Sequence, residues 1–175
     1  VWHIIWTTVA DEFSDISDWA TIARITLRLL LAAVLGGLLG YERERKARSA
    51  GLRTHMLVAV GSALFVVGAL QSGMEISDLS RVLQGIIQGI GFLGAGAIIV
   101  RTSLHKVQGL TTAATIWATA GVGMLAGLGL EATAVLVTAI LLIILAVIPW
   151  LVPPLEPSPP HDGADDGINQ CNDSQ

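Results

Sequence analysis

Residues Gln84–Arg101, QGIIQGIGFLGAGAIIVR, form an apolar run crowded with glycine and entered through two glutamines. In water each glycine weakens a helix by about 1 kcal/mol relative to alanine, whereas in lipid the missing side chains let neighbouring backbones approach and pack. The stretch reads as a membrane-spanning helix with close partners, and the rest of the chain agrees. Of the 175 residues, 53% are hydrophobic and 14% charged, and the mean hydropathy is +0.67, too apolar for an ordinary soluble domain.

Apolar runs of about 20 residues are long enough to cross a hydrocarbon core of about 30 Å. Five follow one another, at about 21–41, 52–70, 81–100, 110–128 and 131–151, with Pro149, Pro153 and Pro154 ending the last. The expected fold is all-α, a polytopic bundle of five transmembrane helices over 21–152. Before it, residues 1–20 lack a basic leader and are not read as a signal peptide. Acids there alternate with Trp2, Ile5, Trp6, Val9, Phe13, Ile16 and Trp19 at three- and four-residue spacing, which predicts a short amphipathic helix at the membrane interface. After the bundle, residues 153–175 are proline-rich and acidic without periodicity and are expected to be a disordered cytoplasmic tail.

Charge sets the expected orientation. The connection after the first span holds Arg43, Arg45, Lys46, Arg48 and Arg53, and the one after the third span holds Arg101 and Lys106. The opposite connections carry only Arg81, beside Glu75, Asp78 and Glu131. By the positive-inside rule the amino terminus is expected outside and the carboxyl terminus in the cytoplasm. The net charge of −4 comes largely from the acidic ends, so it describes tails rather than a surface for nucleic acid.

Several patterns resemble chemistry without its context. Gly89-Ile90-Gly91-Phe92-Leu93-Gly94 matches the dinucleotide fingerprint, but that needs a preceding strand and an acid about 20 residues on, and none occurs between Asp78 and Glu131. His3, His55, His105 and His161 have no partner at metal-ligand spacing, and His55 is better read as an anchor at the start of the second span. Ser62 sits alone in an apolar helix and Cys171 is the only cysteine. No enzyme activity, cofactor or metal site is expected. The spacing GxxxG recurs instead, at Gly36 and Gly40, Gly85 and Gly89, and Gly123 and Gly127, placing two glycines on one face of each of three spans.

The charges inside the spans are more pointed. Arg24 and Arg28 share a helix face, and an arginine in hydrocarbon costs about 2.5–3.5 kcal/mol on insertion scales, so Arg28 either snorkels or finds a partner. The first and third spans both enter from outside, which brings Arg28 level with Gln84 and Gln88. A buried cluster of these three, with Asp78 nearby, is the sharper expectation. At the inner face, ERERKARSAGLRTH over 42–55 is either a solvated loop that sets orientation or a set of ion pairs, beginning at Glu42 and Arg43, that locks helix ends together.

Taken in order, Gly40-Tyr41-Glu42-Arg43-Glu44, Ala50-Gly51-Leu52-Arg53-Thr54-His55, Gly89 to Gly96, and Gly109-Leu110-Thr111-Thr112-Ala113-Ala114 with Trp117 resemble the successive signatures of the MgtC/SapB family. By position the resemblance marks Arg28, Glu42, Arg43, Gly51, Leu52, Arg53, Thr54, Arg81, Gly89, Gly91, Gly94, Gly96, Gly109, Thr111, Thr112 and Trp117. It implies a bacterial inner-membrane protein. For the best-known members it also implies adaptation to low magnesium, virulence inside macrophages and inhibition of the ATP synthase. Longer members carry an ACT-like domain after the fifth span, and the polar tail here makes a short SapB-like member the better comparison.

Magnesium prefers oxygen ligands and sheds water reluctantly, and no acid lies inside a span, only Glu42, Asp78 and Glu131 approaching the boundaries. Action by helix contacts, with lipids, a second copy or a complex such as the ATP synthase as partners, is therefore preferred. Ion transport, along backbone carbonyls at Gly91 to Gly96, is the alternative.

Overall fold

The computed structural model describes residues 1–12, 18–99 and 109–151. Phe13 and Ile16, the connection carrying Arg101, His105 and Lys106, and the tail with His161 and Cys171 lie outside them. Among the described residues there are six helices and no strand: α1 (Trp2–Glu12), α2 (Trp19–Arg45), α3 (Leu52–Gln71), α4 (Ile76–Ile99), α5 (Leu110–Leu128) and α6 (Glu131–Leu151). The last five are long and apolar enough to cross a membrane, and Gly89 to Gly94 lies wholly within α4.

Two helices outrun the sequence reading. α2 continues past Tyr41 to Arg45, so Glu42 to Arg45 are helical and not a loop. Its 27 residues span about 40 Å at 1.5 Å each. α4 begins at Ile76 rather than near Arg81, with Asp78 in its first turn, where a carboxylate favours the positive end of the helix dipole. Hydropathy locates the apolar middle of a helix, while the ends are set by residues that stay helical beyond the lipid.

The bundle is arranged inside out relative to a soluble protein. Its most enclosed positions include Ala32, Ala59, Ala63 and Ala126, while Leu27, Leu64, Phe65, Leu136 and Ile143 face outward. In water that exchange would be unfavourable; in lipid, outward leucine and phenylalanine meet hydrocarbon while small residues let backbones touch. Three buried threonine hydroxyls are satisfied within their own helices: Thr115 Oγ1 donates to Thr111 O (2.6 Å), Thr119 Oγ1 to Thr115 O (2.8 Å) and Thr138 Oγ1 to Ala134 O (2.7 Å).

α3 stands at the centre. From one side α2 presses its glycine pair on it: a Cβ on Gly36 would lie 2.7 Å from His55 O, and one on Gly40 2.7 Å from Leu52 Cα. From the other side α5 does the same, with Gly123 against the backbone of Ala59 and a Cβ on Gly127 placed 2.8 Å from Ala63 O. The receiving residues His55, Ala59 and Ala63 are spaced at i, i+4 and i+8, one stripe of α3. α6 packs on α2 and α5, and α4 on α5 and more thinly on α3. α3 and α5 thus intervene between α2 and α4.

Candidate functional site

At the end of the bundle formed by the α2–α3 turn, the basic stretch becomes a set of ties. Leu39 and Arg43 occupy the same buried face of α2, and Arg43 is only 2% exposed. An arginine so enclosed needs a counter-charge, and Glu42 supplies one at 2.5 Å from Arg43 Nε. Glu42 Oε1 also stands 2.6 Å from Lys46 Nζ, a charge pair outside good hydrogen-bond alignment. Lys46 Nζ in turn donates to Leu145 O of α6 (2.7 Å), joining the end of α2 to α6. Glu44 Oε2 accepts from Leu52 N (2.8 Å), supplying the cap that Gly51 has no side chain to provide.

His55, fully buried one turn into α3, has Nδ1 2.9 Å from Gly51 O, while its Nε2 makes no hydrogen bond among the described residues. It lies against Gly40, where an added Cβ would approach its own Cβ to 3.0 Å. Arg53 and Thr54 are exposed beside it. The ion pairs, Glu42 with Arg43 and with Lys46, all lie on α2 and its cap, while the ties between elements are hydrogen bonds to backbone, Lys46 to Leu145 O and Leu52 N to Glu44; the reach of Lys46 to a carbonyl uses an acceptor every residue carries and no pattern marks.

The opposite end, at the α5–α6 turn, holds Arg28. Its Nη1 donates to Gly127 O (3.1 Å) and its Nε lies 3.9 Å from Glu131 Oε1. Gly129 ends α5 at φ 80°, and a Cβ there would overlap Arg28 Nη2, so glycine is required twice over. The cluster of Arg28 with Gln84, Gln88 and Asp78 is not what forms. Asp78 stands 3.6 Å from Arg81 on α4's own surface, and Gln84 and Gln88 are exposed. The lateral order of the helices keeps these groups apart, because α3 and α5 separate α2 from α4. A glycine with a carboxylate two residues on, level with Arg28, was the available signal.

The remaining marked residues divide between α4 and α5. Thr112 is buried, Thr111 is exposed with its carbonyl held by Thr115, and Trp117 points outward. Gly94 is the glycine of α4 that packs, with a would-be Cβ 3.6 Å from Ala113 Cβ. Around Gly85, Gly89, Gly91 and Gly96 a Cβ would meet nothing within 4 Å. Gly85 and Gly89 line a groove of about 610 Å³ between α3 and α4, walled by Leu57, Phe65, Ile86 and Leu93. Gln84, Gln88, Gly91 and Ala95 follow one another at i, i+4, i+7 and i+11 along α4's exposed side. Among the described residues no group of three or more histidine, cysteine, aspartate or glutamate side chains is placed to hold a metal ion.

The chain matches the model of the MgtC family over residues 29–153. It is 48% identical to protein SrpB of Synechococcus elongatus, over 65% of this chain and 66% of that one. It is 46% identical to protein MgtC of Brucella abortus (strain 2308), over 79% and 57%. With YhiD of Escherichia coli (strain K12), named as a proposed magnesium transporter, the identity is 39% over 71% and 60%. The matched part therefore spans less than two thirds of these relatives' own lengths. No solved structure matches the chain. Five membrane-length helices, the ordered motifs and a family match over most of the chain agree that this multi-pass membrane protein belongs to the MgtC family.

Proposed function

We propose that this chain serves magnesium homeostasis in a bacterial inner membrane, without chemistry of its own, by offering the open face of α4 to a transmembrane helix of another membrane complex. The observation that carries this reading is the pair Gln84 and Gln88 on an exposed, glycine-rich helix face in a chain built for lipid. Hydrocarbon offers an amide no hydrogen bond, while a helix seated on glycines brings backbone and side-chain partners within reach. The link to magnesium rests on the family and on the name of the relative YhiD. With the basic α2–α3 turn in the cytoplasm, the amino terminus is outside.

The test is crosslinking in native membranes from Gln88→Cys, with Leu30→Cys on the outward side of α2 as control. The expected result is an adduct with one other membrane protein from position 88 alone, lost when Gly89→Leu is added, together with loss of growth in low magnesium. An adduct with a second copy alone, or equal labelling from both positions, overturns it.

Transport is the second reading, favoured by the name of YhiD. It expects magnesium flux into sealed vesicles containing the purified chain, which the contact reading does not.

A further inference from the structure

Beside the anchored Arg28, between α2 and α3, lies a small recess that the reading above does not use. Its volume is about 180 Å³, room for on the order of six waters, with Thr21, Arg24 and Arg28 of α2 and Gln71 of α3 among its polar lining and Val67 and Leu70 as apolar wall. We propose that it binds a phosphate-type oxyanion, either the phosphodiester of a lipid headgroup or free phosphate.

Charge and geometry both point to an anion. Arg24 and Arg28 lie one turn apart on the same face, so two guanidinium groups line one recess. The carboxylate paired with Arg28 is Glu131, 3.9 Å away, and among the described residues Arg24 makes no ion pair, leaving the recess with more positive than negative charge. Arg28 Nε is buried and donates no hydrogen bond. Its Nη1 is pinned to Gly127 O and its Nη2 rests on Gly129, so the guanidinium is held in place before any ligand arrives. A planar fork of donors suits the tetrahedral oxygens of phosphate, and the Thr21 hydroxyl and Gln71 amide can donate to the rest. Arg24 is one turn beyond Trp19 and Ala20, the helix start, the level at which a span meets headgroups.

The experiment uses the full chain purified in neutral detergent. Its unfolding temperature is followed while inorganic phosphate is titrated against chloride at equal ionic strength, and again in nanodiscs of phosphatidylglycerol against phosphatidylcholine. A saturable rise with phosphate, with phosphatidylglycerol, or with both supports the site, and the arm that responds identifies the source. Arg24→Gln, at an exposed position, is expected to weaken the response about tenfold, the loss of one charge-assisted contact. Glu131→Gln, which removes the opposing charge, is expected to strengthen it. No saturable rise in either arm, or an Arg24→Gln response equal to the parent's, overturns the proposal.

Discussion

α4 and α5 are neighbouring helices, both rich in glycine, and they use it in opposite ways. In α5, Gly123 and Gly127 are pressed into the backbone of α3, and 50% of the membrane-crossing stretch is buried. In α4, a Cβ on the equally spaced Gly85 or Gly89 would meet nothing within 4 Å, and 6% of the stretch is buried. The same spacing therefore marks a finished contact in one helix and an unfilled one in the other. What distinguishes them is the residue type alongside: α5 brings buried threonines bonded to its own carbonyls, while α4 carries two glutamine amides on its open side.

That contrast can be broken most severely at Gly123. Gly123→Val would drive a branched side chain into the Ala59 carbonyl, and the helices must part; a loss of about 3 kcal/mol, the upper end for overpacking, is expected in denaturant unfolding of the purified bundle. At the α5–α6 end, Arg28→Ala removes the hydrogen bond to Gly127 and the partner of Glu131. Because that pair is partly exposed, about 1 kcal/mol is expected by the same measurement, and a loss above 3 kcal/mol would show the pair to be far better shielded than it looks. Lys46→Met leaves Glu42 with Arg43 but cuts the tie to Leu145. A drop of about 0.5–1 kcal/mol, with faster protease cleavage near the end of α6, is the expected outcome. The smallest change belongs to Gly89→Ala. It meets open space and improves helix propensity, so stability should hold or rise by up to about 1 kcal/mol. The same variant should weaken crosslinking from Gln88. Equal losses of stability at Gly89 and Gly123 would abolish the distinction between the two helices.

The ends of the bundle repeat the lesson in polar form. At the α2–α3 end most polar contacts join residues close in sequence, Glu42 with Arg43 and Lys46, and Glu44 with Leu52, so the run of alternating charges was itself the signal for all but the reach of Lys46 to Leu145, ninety-nine residues on. At the other end Arg28 reaches Gly127, ninety-nine residues away, and nothing local announces it.

What the chain's own order of residues determined is everything carried by local periodicity: five apolar lengths, three faces with paired glycines, basic turns at one end, and a histidine at the start of a span. Hydropathy and helical spacing act within a turn or two, so they can be read along the chain. Which helix stands beside which was decided only on packing, since five rods of similar length can be placed around one another in many orders at the same depth. That choice put α3 between the glycines of α2 and α5, sent Arg28 to Glu131 instead of Gln84, and left α4 with an open side.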